Sequence, residues 1–147
     1  MVYLLTPAEL RATELEELVP GLTFQWLFDR QGMAFYAQHT SRELVDAWFN
    51  RIVTINSTWP EDRYLFILND FSGKDCVTTP YNQHKNRELM RMFPNRRTAS
   101  AIVVKQNLTM QLSRLFIRAL PSSKSIYLTF SRDDGLIWLK KQIELYK

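Results

Sequence analysis

Polar and hydrophobic residues alternate along two neighbouring stretches of the chain, residues 22–28 and residues 33–39. In the first stretch, LTFQWLF, every second side chain is large and apolar, which is the period of a half-buried strand. The four residues between the stretches, DRQG, contain a glycine and favour a turn. The pattern therefore predicts a β-hairpin near the beginning of the chain.

Apolar residues recur at three- and four-residue spacing in other segments, which predicts helices with one buried face. Four of these segments begin with a serine or threonine in the position of a helix cap, and two of them have proline at the first helical position. In the last helix, Leu136, Leu139 and Ile143 are expected to point into the core. The predicted helices cover residues 6–18, 40–59, 79–93, 108–120 and the segment from residue 131 onward.

Three further apolar runs, residues 64–68, 98–104 and 125–130, predict strands. The first two do not alternate, as is typical of parallel strands covered on both faces. The order of elements is then α-ββ-α-β-α-β-α-β-α. This order predicts an α/β fold, in which a mixed sheet begins with the hairpin and carries packed helices. We expect one domain over residues 1–147, with residues 1–20 as an N-terminal helical extension.

Composition narrows the class of protein. The chain has 147 residues, of which 46% are hydrophobic and 23% charged, as in a folded globular domain. No apolar run approaches the ~20 residues needed to span a bilayer, and the first residues do not resemble a signal peptide. The expected location is the cytoplasm. One cysteine and two separated histidines give no internal disulfide and no zinc signature, so we predict neither a metal nor a cofactor.

Charge is distributed unevenly. Residues 85–124 contain nine basic side chains and a single acid, Glu88. Such a cluster favours an anionic partner, namely phosphate, nucleic acid or lipid headgroups, or else it consists of separate solvated faces. Aromatic residues that could stack on bases are not interleaved with the basic ones, which argues against nucleic acid. The candidate anion-binding residues are Arg87, Arg91, Arg96, Arg97, Arg114 and Arg118.

Two parts of the sequence resemble a known fold. The stretch FILNDFSG, residues 66–73, stands at a predicted strand end in the middle of the chain, and IYLTF with SRDDGLIWL, residues 126–139, ends it. Together with the order of elements, these stretches are similar to the STAS-like fold of bacterial anti-sigma-factor antagonists and their relatives. The resemblance implies a regulatory domain that acts on a protein partner rather than an enzyme.

In those antagonists the strand is followed by an Asp-Ser-Ser/Ala-Gly loop whose serine is phosphorylated. The corresponding stretch here is DCVTTP, residues 75–80, which lacks both the serine and the glycine. Asp75 matches the motif, and Thr78 or Thr79 could replace the acceptor. Thr79 is also explained as the cap of the next helix, because Pro80 follows it.

The loop that follows the strand at residues 64–68 crowds polar groups together and has more than one interpretation. Cys76 could be a nucleophile with His84 as its base, or a semi-buried thiol. Asp70 and Asp75 could be paired carboxylates for acid–base work or Mg²⁺, or ordinary turn formers. We assign no catalytic residue. The loop is expected to contact a partner or ligand through Asp70, Ser72, Gly73, Asp75, Cys76, Thr78 and Thr79.

The sequence thus favours a non-enzymatic regulatory or protein-interaction domain of STAS-like type, with a protein partner or a second copy of the chain. A carrier of a small apolar or anionic ligand is the alternative, with a pocket between the sheet and the helix that bears Arg114 and Arg118. Nucleic-acid binding through residues 85–124 is a third hypothesis.

Overall fold

The computed structural model describes residues 14–106 and 124–146. Within them, six strands and three helices follow one another along the chain. The strands are β1 (Glu16–Val19), β2 (Leu22–Leu27), β3 (Gly32–Ala37), β4 (Leu65–Asp70), β5 (Thr98–Val103) and β6 (Lys124–Thr129). The helices are α1 (Arg42–Thr58), α2 (Pro80–Met92) and α3 (Arg132–Leu145).

All six strands form one sheet whose spatial order follows the sequence, β1-β2-β3-β4-β5-β6. The first three strands pair antiparallel, and β3 to β6 pair parallel. Between β3 and β4, and between β4 and β5, a helix returns the chain from the end of one strand to the start of the next, as parallel pairing requires. The predicted α/β class, with a mixed sheet and an opening hairpin, is confirmed.

The N-terminal part differs from the prediction. Residues 16–19 form an antiparallel edge strand beside β2, so a helix extending to residue 18 is wrong at its C-terminal end. Pro20 and Gly21 do not terminate a helix but join β1 to β2, with Gly21 at a φ of 90°. Proline followed by glycine suits the two central positions of a turn of this kind. Residues 6–13 of the predicted helix lie outside the described residues.

The turn between β2 and β3 has an unusual backbone. Phe28, Asp29 and Arg30 all have positive φ angles, between 52° and 63°, and the amide of Gln31 donates to the carbonyl of Phe28. Left-handed conformations cost energy in residues that have a Cβ atom. The strands on either side hold the turn, with Leu27 facing Gly32 in the ladder.

The two faces of the sheet bury separate cores. Helix α1, flanked by α2, covers the face that carries Phe24, Phe35 and Ile67. Helix α3 covers the opposite face over β4, β5 and β6. There Leu136, Leu139 and Ile143 are buried against the sheet, as their spacing predicted. Strand β4 is covered on both faces and all six of its residues are buried.

The predicted helix starts at Thr79 and Ser131 are confirmed, whereas α1 is capped by Ser41 rather than by Thr40, one residue later than predicted. Ser41, Thr79 and Ser131 each accept a hydrogen bond from the backbone amide three residues later. At α2, Asn82 returns a bond to the amide of Thr79, which completes a capping box. The predicted helix at residues 108–120 lies outside the described residues. In the two described ranges, 14–106 and 124–146, no helix has the length and apolar character to cross a membrane.

Candidate functional site

The carboxyl ends of β3, β4, β5 and β6 lie at one edge of the sheet, because these strands are parallel. Open α/β sheets bind their ligands at this edge. The longest described connection there follows β4 and runs over residues 71–79 to the start of α2. We call it the β4–α2 loop. It contains six of the seven residues that the sequence assigned to an interaction loop, and the seventh, Asp70, ends β4.

Asp70, the last residue of β4, forms the base of this loop. Its carboxylate is only 3% exposed and accepts hydrogen bonds from the backbone amide and the hydroxyl of Ser72. The other oxygen accepts from Nε of Arg132, the first residue of α3, at 2.7 Å. Asp70 therefore joins the end of β4 to the start of α3 at the sheet edge.

The middle of the loop packs against the end of β3. A Cβ atom on Gly73 would lie 2.6 Å from the carbonyl oxygen of Ala37, so only glycine allows this approach. Cys76 is buried, its amide donates to the carbonyl of Gly73, and its thiol lies 3.4 Å from the same Ala37 oxygen. An isolated bridge between His39 and Asp75 adds a further backbone link.

The end of the loop is fixed from two sides. The hydroxyl of Thr40 donates to the carbonyl of Val77 and accepts from the amide of the same residue. The side-chain amide of Asn82 donates to that carbonyl as well. Thr79 then caps α2. The loop is thus held at its beginning, middle and end by bonds to neighbouring elements.

A few loop side chains face the solvent. Lys74 and Asp75 are exposed, and Val77 is 53% exposed although it is apolar. Thr78 and Ser72 are half-buried. The loop therefore presents one apolar side chain between charged and hydroxyl groups on a backbone of fixed shape.

The geometry at Cys76 favours a structural thiol. Burial raises the pKa of the thiol, which lowers the fraction of reactive thiolate at neutral pH. His84, the base suggested by the sequence, is exposed on α2 and places Nε2 3.8 Å from a carboxylate oxygen of Glu88. Among the described residues, no three of the His, Cys, Asp and Glu side chains come together as metal ligands.

The basic residues have different environments. Every N–H of the Arg96 guanidinium points at an oxygen of residues 56–63 at the end of α1 and the turn after it. Its donors are therefore occupied. Arg87 and Arg91 are exposed on α2, and Arg97 is exposed beside the ring of Tyr64. The remaining two candidates, Arg114 and Arg118, lie outside the described residues.

A cavity of about 210 Å³ lies between α1, α2 and the sheet. Its wall includes Leu89 and Met90 from α2, Phe93 directly after that helix, and Ser100 and Ile102 from β5. Residues 107–123, which connect β5 to β6, are outside the described part of the chain. The outline of the cavity is therefore the one given by the described residues.

Two residues at the carboxyl edge of the sheet were not predicted as site residues from the sequence: Arg132 and Tyr36. The Arg132 guanidinium lies 4.3 Å from the centre of the Tyr36 ring, and the Tyr36 hydroxyl donates to Gln25. Burial raises the pKa of Tyr36. The sequence held one signal for Arg132, since residues that closely follow a parallel strand lie at the same edge as Asp70.

Comparisons with protein-family models, with curated proteins and with solved structures gave no match for this chain.

Proposed function

We propose that this protein is a non-catalytic interaction domain that binds a protein partner through the β4–α2 loop. The observation that carries the proposal is Val77, an apolar side chain more than half exposed on a loop whose backbone is fixed by hydrogen bonds. A loop already in its bound shape loses less conformational entropy on binding, so that its contacts contribute more to affinity.

The arrangement of connections supports a surface contact rather than an enclosed ligand at this edge. In doubly wound sheets the ligand crevice forms where successive connections pass to opposite faces. Here α1 and α2, which connect β3 to β4 and β4 to β5, pack against each other on one face. These two described connections therefore do not pass to opposite faces.

The state of the polar groups supports the same proposal. The Asp70 carboxylate is bonded to Ser72 and Arg132, and the raised pKa of Cys76 keeps its thiol protonated at neutral pH. A general base needs a carboxylate that is free to take a proton, and a nucleophile needs a thiol that ionises readily.

We also propose that the domain is STAS-like. The opening hairpin and the sequential mixed sheet support that assignment, and the partner would then be a regulatory protein.

A photo-cross-linking amino acid at position 77, introduced in the native host, tests the proposal. We expect one defined cross-linked product, whose second protein, once purified, binds the unmodified chain directly. The matched control is position 92, because Met92 is 46% exposed but lies at the far end of α2. Val77→Asp should weaken the direct binding about tenfold, the effect expected when a buried apolar contact is lost.

A product from position 92 of equal yield, or unchanged binding by the Val77→Asp variant, would contradict the proposal. A product that contains a second copy of the chain would identify the partner as the protein itself, and sedimentation of the purified protein should then show a dimer.

The cavity beside α2 favours a second candidate, a carrier of a small apolar ligand. Its described wall is mainly aliphatic and aromatic, and its polar groups include Asn82, Asn86, Ser100 and Lys124. Native mass spectrometry of protein purified from its host should then show a bound small molecule. Ser100→Phe, which fills the cavity, should remove that mass while the protein stays folded. If the protein without the substitution shows only the mass of its own chain, this candidate is ruled out.

A further inference from the structure

Arg132 is held at the carboxyl edge of the sheet in one orientation. Its Nε donates to the buried carboxylate of Asp70 at 2.7 Å, and its guanidinium plane lies over the ring of Tyr36. Both supports are themselves fixed, since Ser72 bonds the other oxygen of Asp70 and Gln25 accepts from the Tyr36 hydroxyl. A long side chain at a helix start would otherwise sample many rotamers.

The terminal nitrogens of this guanidinium make no hydrogen bond to these supports. Nε is used by Asp70, whereas Nη1 and Nη2 have no hydrogen-bond partner within residues 14–106 and 124–146. The side chain is 54% exposed. Two terminal amino groups of one guanidinium offer parallel N–H donors, which match the two oxygens of a carboxylate or the oxygens of a phosphate.

We propose that the outer edge of Arg132 recognises an oxyanion, namely the carboxylate of an acidic side chain on the protein partner. This inference rests on the proposed function, because Arg132 is bonded to Asp70 at the base of the β4–α2 loop. Arg132 contacts the base of the loop and Val77 lies near its end, so the partner would have to span the loop to place an acidic residue on Arg132. The pair would add orientation and specificity to the apolar contact.

The charges around Arg132 set the strength of this recognition. Lys74 and Lys105 lie at the same edge, where the ammonium of Lys105 donates to the carbonyl of Lys74. Asp133 and Asp134, both exposed in the first turn of α3, oppose an incoming anion. Asp70 compensates the formal charge of Arg132. A single small anion should therefore bind weakly, and the bidentate geometry should matter more than the net charge.

An anion titration of the full chain tests Arg132 without knowledge of the partner. The ¹⁵N resonances of the arginine side chains are followed by NMR while acetate, and separately inorganic phosphate, replaces chloride at constant ionic strength. We expect a saturable shift at Arg132 with acetate and only a small linear shift at Arg97, an exposed arginine at the other end of the sheet. Asp133→Asn with Asp134→Asn should lower the acetate concentration at half-saturation.

Equal, unsaturated shifts at Arg132 and Arg97 would overturn the proposal. Saturation with phosphate but not with acetate would overturn the assignment to a carboxylate and indicate a phosphorylated group instead. A purely structural role, in which Arg132 only joins β4 to α3, predicts no saturation with either anion.

The partner found by cross-linking at position 77 provides the second readout. Arg132→Lys keeps the charge but removes the parallel donors, so binding should weaken about tenfold, whereas Arg97→Lys should leave it unchanged. Thermal unfolding of Arg132→Lys controls for its fold. If position 77 yields no partner, the interaction function fails while acetate saturation at Arg132 still stands. If the partner binds Arg132→Lys normally, only the role of Arg132 is contradicted.

Discussion

At the scale of single residues, the candidate site depends on close contacts that leave little room for change. Gly73 touches the backbone of β3, where a Cβ atom would meet the Ala37 carbonyl and the Cα of Gln38 at 2.6 and 2.9 Å. Backbone atoms cannot move aside as the end of a flexible side chain can. Cys76 fills the space next to this contact.

Gly73→Ala should therefore destabilise the protein by about 1–3 kcal/mol, because the loop must move away from β3. Gly32→Ala is the matched control, since its nearest contact would be an ordinary 3.4 Å. We expect less than about 1 kcal/mol for the control. Urea unfolding of both variants measures the difference, and equal midpoints would contradict the described loop position.

The buried thiol of Cys76 predicts a dependence of stability on pH. Its pKa is raised in the folded state, so the unfolded chain loses this proton first as the pH increases. The free energy of unfolding should fall above about pH 8.5, the ordinary cysteine pKa. In Cys76→Ala the free energy of unfolding should fall less, because alanine has no titrating group in either the folded or the unfolded state. Unfolding curves collected between neutral pH and pH 9.5 or so would show the difference in slope.

At the scale of elements, α1 is attached to the sheet by its aromatic face. Trp48 is buried, meets the rings of Phe35 and Phe71 edge to face, and donates from Nε1 to the buried Asn69 side chain at 2.9 Å. Asn69 lies in β4, immediately before Asp70. The contact therefore positions α1 relative to the strand that carries the candidate loop.

Trp48→Phe removes this donor and leaves the Asn69 oxygen buried without it. We expect a loss of about 1–3 kcal/mol in unfolding free energy, which is the cost of an unsatisfied buried polar group together with lost packing. Trp59→Phe, at a half-buried position near the end of α1, should cost less. If calorimetry gave the two variants the same unfolding temperature, the Asn69 bond would not contribute as described.

At the scale of the whole molecule, the amino edge of the sheet is joined by cations that bond to carbonyl groups. Arg96 connects the end of α1 and the following turn to the start of β5. The ammonium of Lys124, at the start of β6, donates to the carbonyls of Phe93 and Arg96. Burial lowers the pKa of Lys124. The bonds at the amino edge therefore stabilise the fold, whereas the carboxyl edge carries the exposed β4–α2 loop.

Arg96→Ala should destabilise the protein by about 2–3 kcal/mol, because charge-assisted bonds to several carbonyl groups are lost at once. Arg97→Ala, the adjacent exposed position, should change stability by less than about 1 kcal/mol. Denaturant unfolding of both variants measures the difference in stability, which follows from the two midpoints when the unfolding free energies have the same dependence on denaturant concentration. A larger loss of stability in Arg97→Ala than in Arg96→Ala would contradict the structural role of Arg96. Arg96 would then again be a candidate anion-binding residue.

Several elements could be predicted from the sequence because their signals are local. The alternation in residues 22–28 and the glycine before residue 33 specify the hairpin, and Thr79 with Pro80 specifies the start of α2. The segment at residues 16–18 could not be predicted in this way. Its glutamates and leucine suit a helix locally, but pairing with β2 satisfies its backbone along the sheet edge.

By itself, the sequence determined the α/β class, the hairpin and the position of a polar loop after β4, because each follows from periodicity and capping within a short stretch of chain. Only the tertiary structure decided what the loop residues do. The contacts of Asp70 with Arg132, of Gly73 with Ala37 and of Val77 with Thr40 join residues far apart in sequence. Such contacts depend on which strands are neighbours and on which residues share an edge of the sheet. A sequence pattern within a short stretch of chain does not specify either.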